Sequence, residues 1–242
     1  MVRSLYTACT GMVHQMNRLD VVTNNMANSD TTAYKKEGST SQSFDSVYGI
    51  KINDSSVNYI HQNIGRMSLG VKVGETYTDY GDGNLEETEQ LYDMALSGKG
   101  FFAISYADRN GNESVRYTRD GNFTVNSQGV LVTKDGDFVL AEDGGLINIP
   151  EGVKISVDES GRITADGQEI AQLQLVDFED YNYLEKFGEN MYIAIDGATT
   201  KDAQCKVYQG YLEASNVNVV TEMVDMITIT RDYESNQKAE GD

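Results

Sequence analysis

The sequence predicts an α+β, mainly β chain: an antiparallel β-sandwich or meander in the middle, with N- and C-terminal amphipathic helices that pair in a coiled-coil-like bundle. Three observations carry that expectation. Apolar residues recur at three- and four-residue spacing at each end of the chain. Between about residues 75 and 208 the pattern changes to short alternating runs broken by Gly-containing turn pairs, which is the rhythm of consecutive antiparallel strands. The stretch 37–74 is rich in Ser, Asn and Gly and reads as an extended linker with at most one short strand or helical turn. The expected organisation is therefore 1–36 for an N-terminal helix, 37–74 for the linker, 75–208 for a β-rich domain and 209–242 for a C-terminal helix.

The first helix is expected over Ser4 to Asn28. Leu5, Met12, Leu19 and Met26 recur at heptad spacing, Cys9 and Met16 widen the seam, and Ala8 and Val22 flank it. His14 falls on the polar side. Gly11 weakens this helix by about 1 kcal/mol relative to alanine, so packing must supply the difference. At the other end Asn218 is placed to cap a helix in which Val219, Val220, Met223, Met226, Ile227, Thr230 and Tyr233 share one stripe. Glu222, Asp225, Arg231, Asp232 and Lys238 mostly face water in that reading. An isolated helix of this length is marginal in water, so each stripe requires something to lie against. Leu5, Met12, Met16, Leu19, Met26, Val219, Met223, Met226, Ile227 and Tyr233 are the candidate packing residues, either of one intramolecular core or of an assembly interface.

In the middle, strands are expected at Phe101 to Tyr106, Arg116 to Thr118, Asn122 to Val125, Val130 to Thr133 and Asp137 to Leu140. Turns separate them at Asn110-Gly111, Asp120-Gly121, Gln128-Gly129 and Asp135-Gly136. Val153 to Val157, Arg162 to Ala165, Ile170 to Phe178, Tyr192 to Ile195 and Ala203 to Tyr208 continue the series.

Composition narrows the function. Apolar residues at 39% suit a globular chain, and no run reaches the roughly 18 apolar residues of a membrane helix. Met1 to Met26 lacks the uninterrupted apolar region of a secretory leader. A formal charge of −19 argues against binding a nucleic-acid backbone. Cys9 and Cys205 are the only cysteines and read as small buried hydrophobes. No metal or cofactor is expected. His14 and His61 are the only histidines, and no loop has EF-hand spacing. Gly98-Lys99-Gly100-Phe101-Phe102-Ala103 fits a dinucleotide fingerprint, but that needs a following helix, and a strand is expected there. Glu86, Glu87 and Glu89, or Glu179 and Asp180, read as solvated surface rather than a catalytic carboxylate pair.

Four stretches carry a resemblance. Asn24 to Lys35, NNMANSDTTAYK, resembles the signature of the bacterial flagellar rod and hook proteins, matching at Asn24, Asn25, Ala27, Asn28, Thr31, Tyr34 and Lys35, with Ala33 in place of the usual glycine. Asp93 to Phe102 resembles the family's D-x-A-[IL]-x-G-x-G-F-F, which singles out Gly98, Gly100, Phe101 and Phe102. Tyr117 to Leu140 resembles its Y-T-R-D-G-x-F hairpin, with Asp120 and Gly121. Gln209 to Lys238 resembles its closing Q-G-x-[LV]-E-x-S-N-V-N segment and last helix, with Ser215 and Asn216. The resemblance implies a structural subunit of the flagellar basal-body rod, not an enzyme and without cofactors, exported by the flagellar type III apparatus without a cleaved signal. It also implies that the chain polymerises with itself and with neighbouring rod or hook subunits through its terminal helices, although in the family the last helix usually runs well past the position of Lys238, whereas this sequence ends at Asp242. A hook-type axial protein, or a monomeric β-rich module binding protein or carbohydrate, are the other readings.

Overall fold

The computed structural model describes residues 2–51, 62–108, 113–150 and 152–241. They fall into two compact units. The first takes Met1–Ala27, Lys36–Asp79 and Asn218–Asp242, and the second takes Asn28–Lys35 and Tyr80–Val217.

In the first unit, helix α1 spans Val2–Ala27 and helix α2 spans Val219–Gly241. Asn218 caps α2 as its sequence position suggests: its Oδ1 accepts from Thr221 N at 3.2 Å and its carbonyl accepts from Glu222 N at 3.0 Å. The helices pack against each other in antiparallel sense. Gly11 lies against Asn236, Gln15 bonds Asp232, and Asn25 bonds Glu222. Each step up α1 is thus matched by an equal step down α2.

The expected linker holds paired strands instead. Glu37–Ser43 pairs antiparallel with Val71–Thr78, and Val47–Lys51 with Gln62–Met67. Glu37–Ser43 and Val71–Thr78 also pack on α1. The polar composition of 37–74 hid these strands because their described side chains are exposed or half-buried, so few apolar residues are needed. Gly38 lets the exposed Tyr77 ring cross it closely, and a side chain there would have to displace that ring.

The second unit is built on antiparallel sheets. Its main path runs Leu184–Phe187, Met191–Ala194, Glu113–Thr118, Phe101–Ala107, Phe138–Val139, Leu131–Thr133, Phe123–Val125, with Leu175–Phe178 and Thr200–Asp202 joined beside Phe101–Ala107. Ile155–Val157, Arg162–Ala165 and Gln168–Gln172 form a second sheet, and Met94–Lys99 pairs with Gln204–Gln209. The expected run Ile170 to Phe178 splits in two, because Leu173 leaves the ladder to bridge Ala141. The strands Met94–Lys99, Leu184–Phe187 and Tyr211–Glu213 carry too little alternation to have been picked out. The turn placed at Asn110-Gly111 lies outside the described residues.

Strand Phe101–Ala107 is buried on both faces at its start, and successive side chains point to opposite faces. Phe102 enters a core with Met94, Leu96, Ile104, Phe123, Leu131 and Ile163. Phe101 enters another with Phe178, Leu184 and Tyr192, ringed by Tyr80, Tyr117 and Tyr181. The Phe102 ring meets Phe123 edge-on at 5.2 Å, and Phe101 meets Tyr192 at 5.4 Å.

Gly121 sits where the backbone of Met94 passes directly over it, and Met94 N donates to its carbonyl at 3.0 Å. A Cβ there would overlap the Met94 carbonyl, and nothing flexible can yield. Gly121→Ala is therefore expected to destabilise the second unit by about 3 kcal/mol, read as a lower urea midpoint at unchanged m-value.

Candidate assembly surfaces and the motif core

The motifs that are scattered along the chain meet in the second unit. Lys35, 1% exposed, places its Nζ 2.6 Å from Glu213 Oε1 and donates to Gly81 O at 2.8 Å. Arg119 Nη1 reaches Glu213 Oε2 and Asp82 Oδ1, each at 3.2 Å, and its Nη2 donates to Gly98 O at 2.6 Å. Gly83 N donates to Glu213 Oε1 at 2.8 Å, so the buried carboxylate is held by two cations and a backbone amide. Burial pushes the Lys35 ammonium below its ordinary pKa, while Glu213 pulls it back up.

Around this knot the backbone is tied as well. Ala33 N donates to Glu213 O at 2.7 Å, Asn216 N donates to Tyr34 O at 3.3 Å, and Asn216 Nδ2 donates to Gly81 O at 3.1 Å. Ala33 takes φ 56°, a left-handed conformation, so the turn forms although alanine replaces glycine there. Asn28 opens the same turn, accepting from Thr31 Oγ1 at 3.1 Å, and Ser215 Oγ accepts from Val217 N at 3.3 Å. In the hairpin motif, Thr118 Oγ1 donates to Asn190 O and accepts from Asp120 N. Asp120 accepts from Asn122 N at 3.0 Å and Asn190 Nδ2 at 2.8 Å; burial raises its carboxyl pKa against the bond from Asn122 and the charge of Lys134. Gly98, at φ 102°, and Gly100 let Gln204 and Cys205 approach closely, and strand Phe101–Ala107 follows them. No helix N-terminus stands where a dinucleotide would need one.

The first unit holds the other candidates. The seam between α1 and α2 is narrow and largely polar. Val22 and Ile229 are its buried apolar residues, joined by buried Asn25 and Glu222, while buried His14 lies against the strand Glu37–Ser43. Asn25 closes the corner after α1: its Nδ2 donates to Glu37 O at 2.8 Å and its Oδ1 accepts from Glu37 N at 2.9 Å. Its Nδ2 also reaches Glu222 Oε2 at 3.3 Å, while Lys36 pairs with Glu222 Oε1. That bond to Glu222 holds the Lys36 ammonium above its ordinary value. His14 Nε2 lies 2.9 Å from Ser41 Oγ, and burial, then Arg18, lowers its pKa.

These placements correct several expectations. Glu222 does not face water and His14 is not on a polar surface; each has a strand or corner residue behind it that linear spacing does not reveal. Cys9 is exposed and so not a core residue, whereas Cys205 is half-buried and packs against the core around Phe102. His61 lies outside the described residues. Of the candidate packing residues, Met12, Leu19, Met26, Val219, Met226 and Tyr233 are half-buried, whereas Leu5, Met16, Met223 and Ile227 are exposed. Ile229, left out of the stripe, is the most buried residue of α2's apolar set. Lys35, Arg119 and Glu213 were visible as motif letters, but pairing across 178 residues leaves no local trace.

The exposed residues form faces of their own. On α1 Leu5, Tyr6, Val13 and Met16 are each about half exposed, and on α2 Val220, Met223, Val224 and Ile227 are 71%, 49%, 57% and 53% exposed. Motif residues Asn24 and Ala27 are exposed on α1's last turns. Contiguous exposed apolar residues of this kind are candidate interaction surfaces. No helix among the described residues is long and apolar enough to cross a membrane.

Comparison with known proteins bears on both regions. Residues 5–35 match the family model "Flagella basal body rod protein", residues 95–165 the model "Flagellar hook protein FlgE/F/G D1 domain", and residues 208–239 the model "Flagellar basal body rod FlgEFG protein C-terminal". The chain is 32% identical to the flagellar basal-body rod protein FlgG of Buchnera aphidicola subsp. Schizaphis graminum over 99% of its own length and 95% of the relative's. The chain belongs to the flagellar basal-body rod protein family. FlgG of Agrobacterium fabrum is 33% identical across 98% of this chain and 94% of the relative, and FlgF of Caulobacter vibrioides 33% across 97% and 91%. This rod family is structural rather than enzymatic, and it indicates the flagellar basal body as the location.

In the rod-protein chain, Glu213→Gln would leave Lys35 and Arg119 buried with one anion fewer. We expect a loss of about 3–5 kcal/mol, measured by urea unfolding of the purified chain. The Lys36–Glu222 pair gives a sign that can be checked by pH. Because Lys36 has a raised folded pKa, its contribution is complete below the ordinary lysine value of 10.5 and disappears as pH rises through the folded value. Helix content followed by circular dichroism should therefore weaken in alkali, and Glu222→Gln should remove that pH dependence.

Proposed function

We propose that this chain is a structural subunit of the flagellar rod that polymerises with copies of itself and with neighbouring rod or hook subunits through α1 and α2, paired as in a coiled coil. The observation that carries this reading is the set of uncharged apolar faces left outside the helix pair. On a chain of net charge −19, exposed helices would ordinarily show acid or base on their outer side. From Ser4 to Leu19, α1 shows none on that side, and α2 shows none from Val220 to Thr230. Such faces lower the free energy of the chain when another surface covers them, at roughly 25 cal/mol per Å² of apolar area removed from water. Family likeness supports delivery by the flagellar type III apparatus without a cleaved leader, and a torque-bearing, non-catalytic role.

The experiment separates outer from inner faces. Met16→Asp and Met223→Asp change exposed positions, so thermal unfolding should shift by no more than about 0.5 kcal/mol, while sedimentation should lose the polymer and cells carrying either variant should lose motility. Ile229→Asp places a carboxylate in the packed seam and should melt the helix pair, a cost of several kcal/mol. Normal polymers and normal motility in Met16→Asp and Met223→Asp would reject the assembly role of these faces.

A further inference from the structure

His14 is a buried titratable side chain of α1 that plays no part in aligning α1 with α2. It faces the strand Glu37–Ser43 instead, with Nε2 2.9 Å from Ser41 Oγ. That contact falls where the strand pair is interrupted. The register of Glu37–Ser43 on Val71–Thr78 shifts between Ser39 and Ser41, and at the break Thr40 Oγ1 accepts from Glu75 N at 2.9 Å and donates to Glu75 O at 3.2 Å. Before the break the strand is pinned to α1 by Asn25, which bonds both Glu37 N and Glu37 O. Beyond it Ser41, Gln42 and Ser43 pair with Val73, Lys72 and Val71, and His14 ties Ser41 to the helix.

The neutral imidazole suits this place and the imidazolium does not. Neutral Nε2 either accepts the Ser41 hydroxyl proton or donates to that oxygen, whereas a charged ring only donates and carries its charge into a buried setting. The groups around it offer no compensating anion. Arg18, one turn further along α1, adds a second positive charge. On Glu37–Ser43 the titratable side chain is Glu37, at the far end beside Asn25. On Val71–Thr78, Val73 is the register partner of Ser41, so neighbouring Lys72 points to the opposite face; Glu75 lies by Thr40 and Tyr77 crosses Gly38. From α2 comes Asp232, which Gln15 bonds.

We propose that His14 is a pH-operated latch: when neutral it holds the outer half of the Glu37–Ser43 and Val71–Thr78 pair on α1, and when protonated it lets that half come away while the Glu37 end stays pinned. Burial, and then the Arg18 charge, set the folded pKa below the ordinary value of 6.5, so the closed state binds fewer protons than the released one. The latch is therefore complete above pH 6.5 and is lost as pH falls through that value towards the folded one. Below both values the released state gains roughly tenfold in population for each unit by which the folded pKa is depressed. The device belongs to the first unit alone and holds whether or not the chain polymerises.

Amide hydrogen exchange on the full chain, corrected for intrinsic rates, reads the latch residue by residue. Between about pH 7.5 and about pH 5, the range in which histidine titrates, residues 41–43 and 71–73 should lose protection, whereas Glu37 N, held by Asn25, should keep it. His14→Gln still offers Ser41 an amide but cannot titrate, and should abolish this pH dependence. The chain has two histidines, so in a His61→Gln background the remaining imidazole signal is that of His14, and its NMR titration midpoint should lie below 6.5. Arg18→Gln should raise that midpoint towards 6.5 and shrink the acid loss of protection, a result that lost packing alone would not give. A midpoint at or above 6.5, protection at 41–43 and 71–73 that is absent at neutral pH or unchanged on acidification, or an equal acid loss in His14→Gln would each overturn the proposal.

Discussion

The pairing of Glu213 with Lys35 and Arg119 is the constraint on which the second unit depends. A carboxylate with 0% side-chain exposure cannot be left alone in an apolar interior. It is satisfied only when three distant parts of the chain arrive together: the turn after α1, the hairpin at Arg119 and the strand Tyr211–Glu213. Gly98 and Gly81 contribute carbonyls to the same cations. Motifs separated along the chain are thus one structural element, and a change in any of them strands a charge.

The first unit solves a different problem. Polar partners set the alignment of its two helices. Sliding α2 by a turn would move Glu222 away from both Asn25 and Lys36, leaving its carboxylate buried without partners. Buried polar contacts of this kind fix register more than they add strength. Further packing comes from strands Glu37–Ser43 and Val71–Thr78, which lie on α1.

Much of this was legible in the residues. The Asn218 cap, both terminal helices and strands such as Arg162–Ala165 follow from spacing and turn chemistry. Periodicity also found that α2 has an apolar stripe containing Met223 and Ile227, but it could not reveal that the opposite face, with Ile229, is the one that packs within the chain. His14, Glu222 and Cys9 were misplaced for the same reason: burial depends on the strand, corner or open face next to the helix, none of which is encoded within a turn of the residue itself. The strands within 37–74 were missed because strands whose described side chains are exposed or half-buried need few apolar residues. Motif letters located Lys35, Arg119 and Glu213 without revealing that they touch.

The adjacency of Phe101 and Phe102 has a mechanical corollary. Because neighbouring residues of one strand anchor the two cores, that strand behaves as a shared spar between two layers. A shearing load entering through the aromatic cluster around Tyr192 is handed across a single peptide bond to the aliphatic layer around Ile163, and neither layer can slip without dragging the other. Stiffness between the two layers is thus concentrated in one dipeptide.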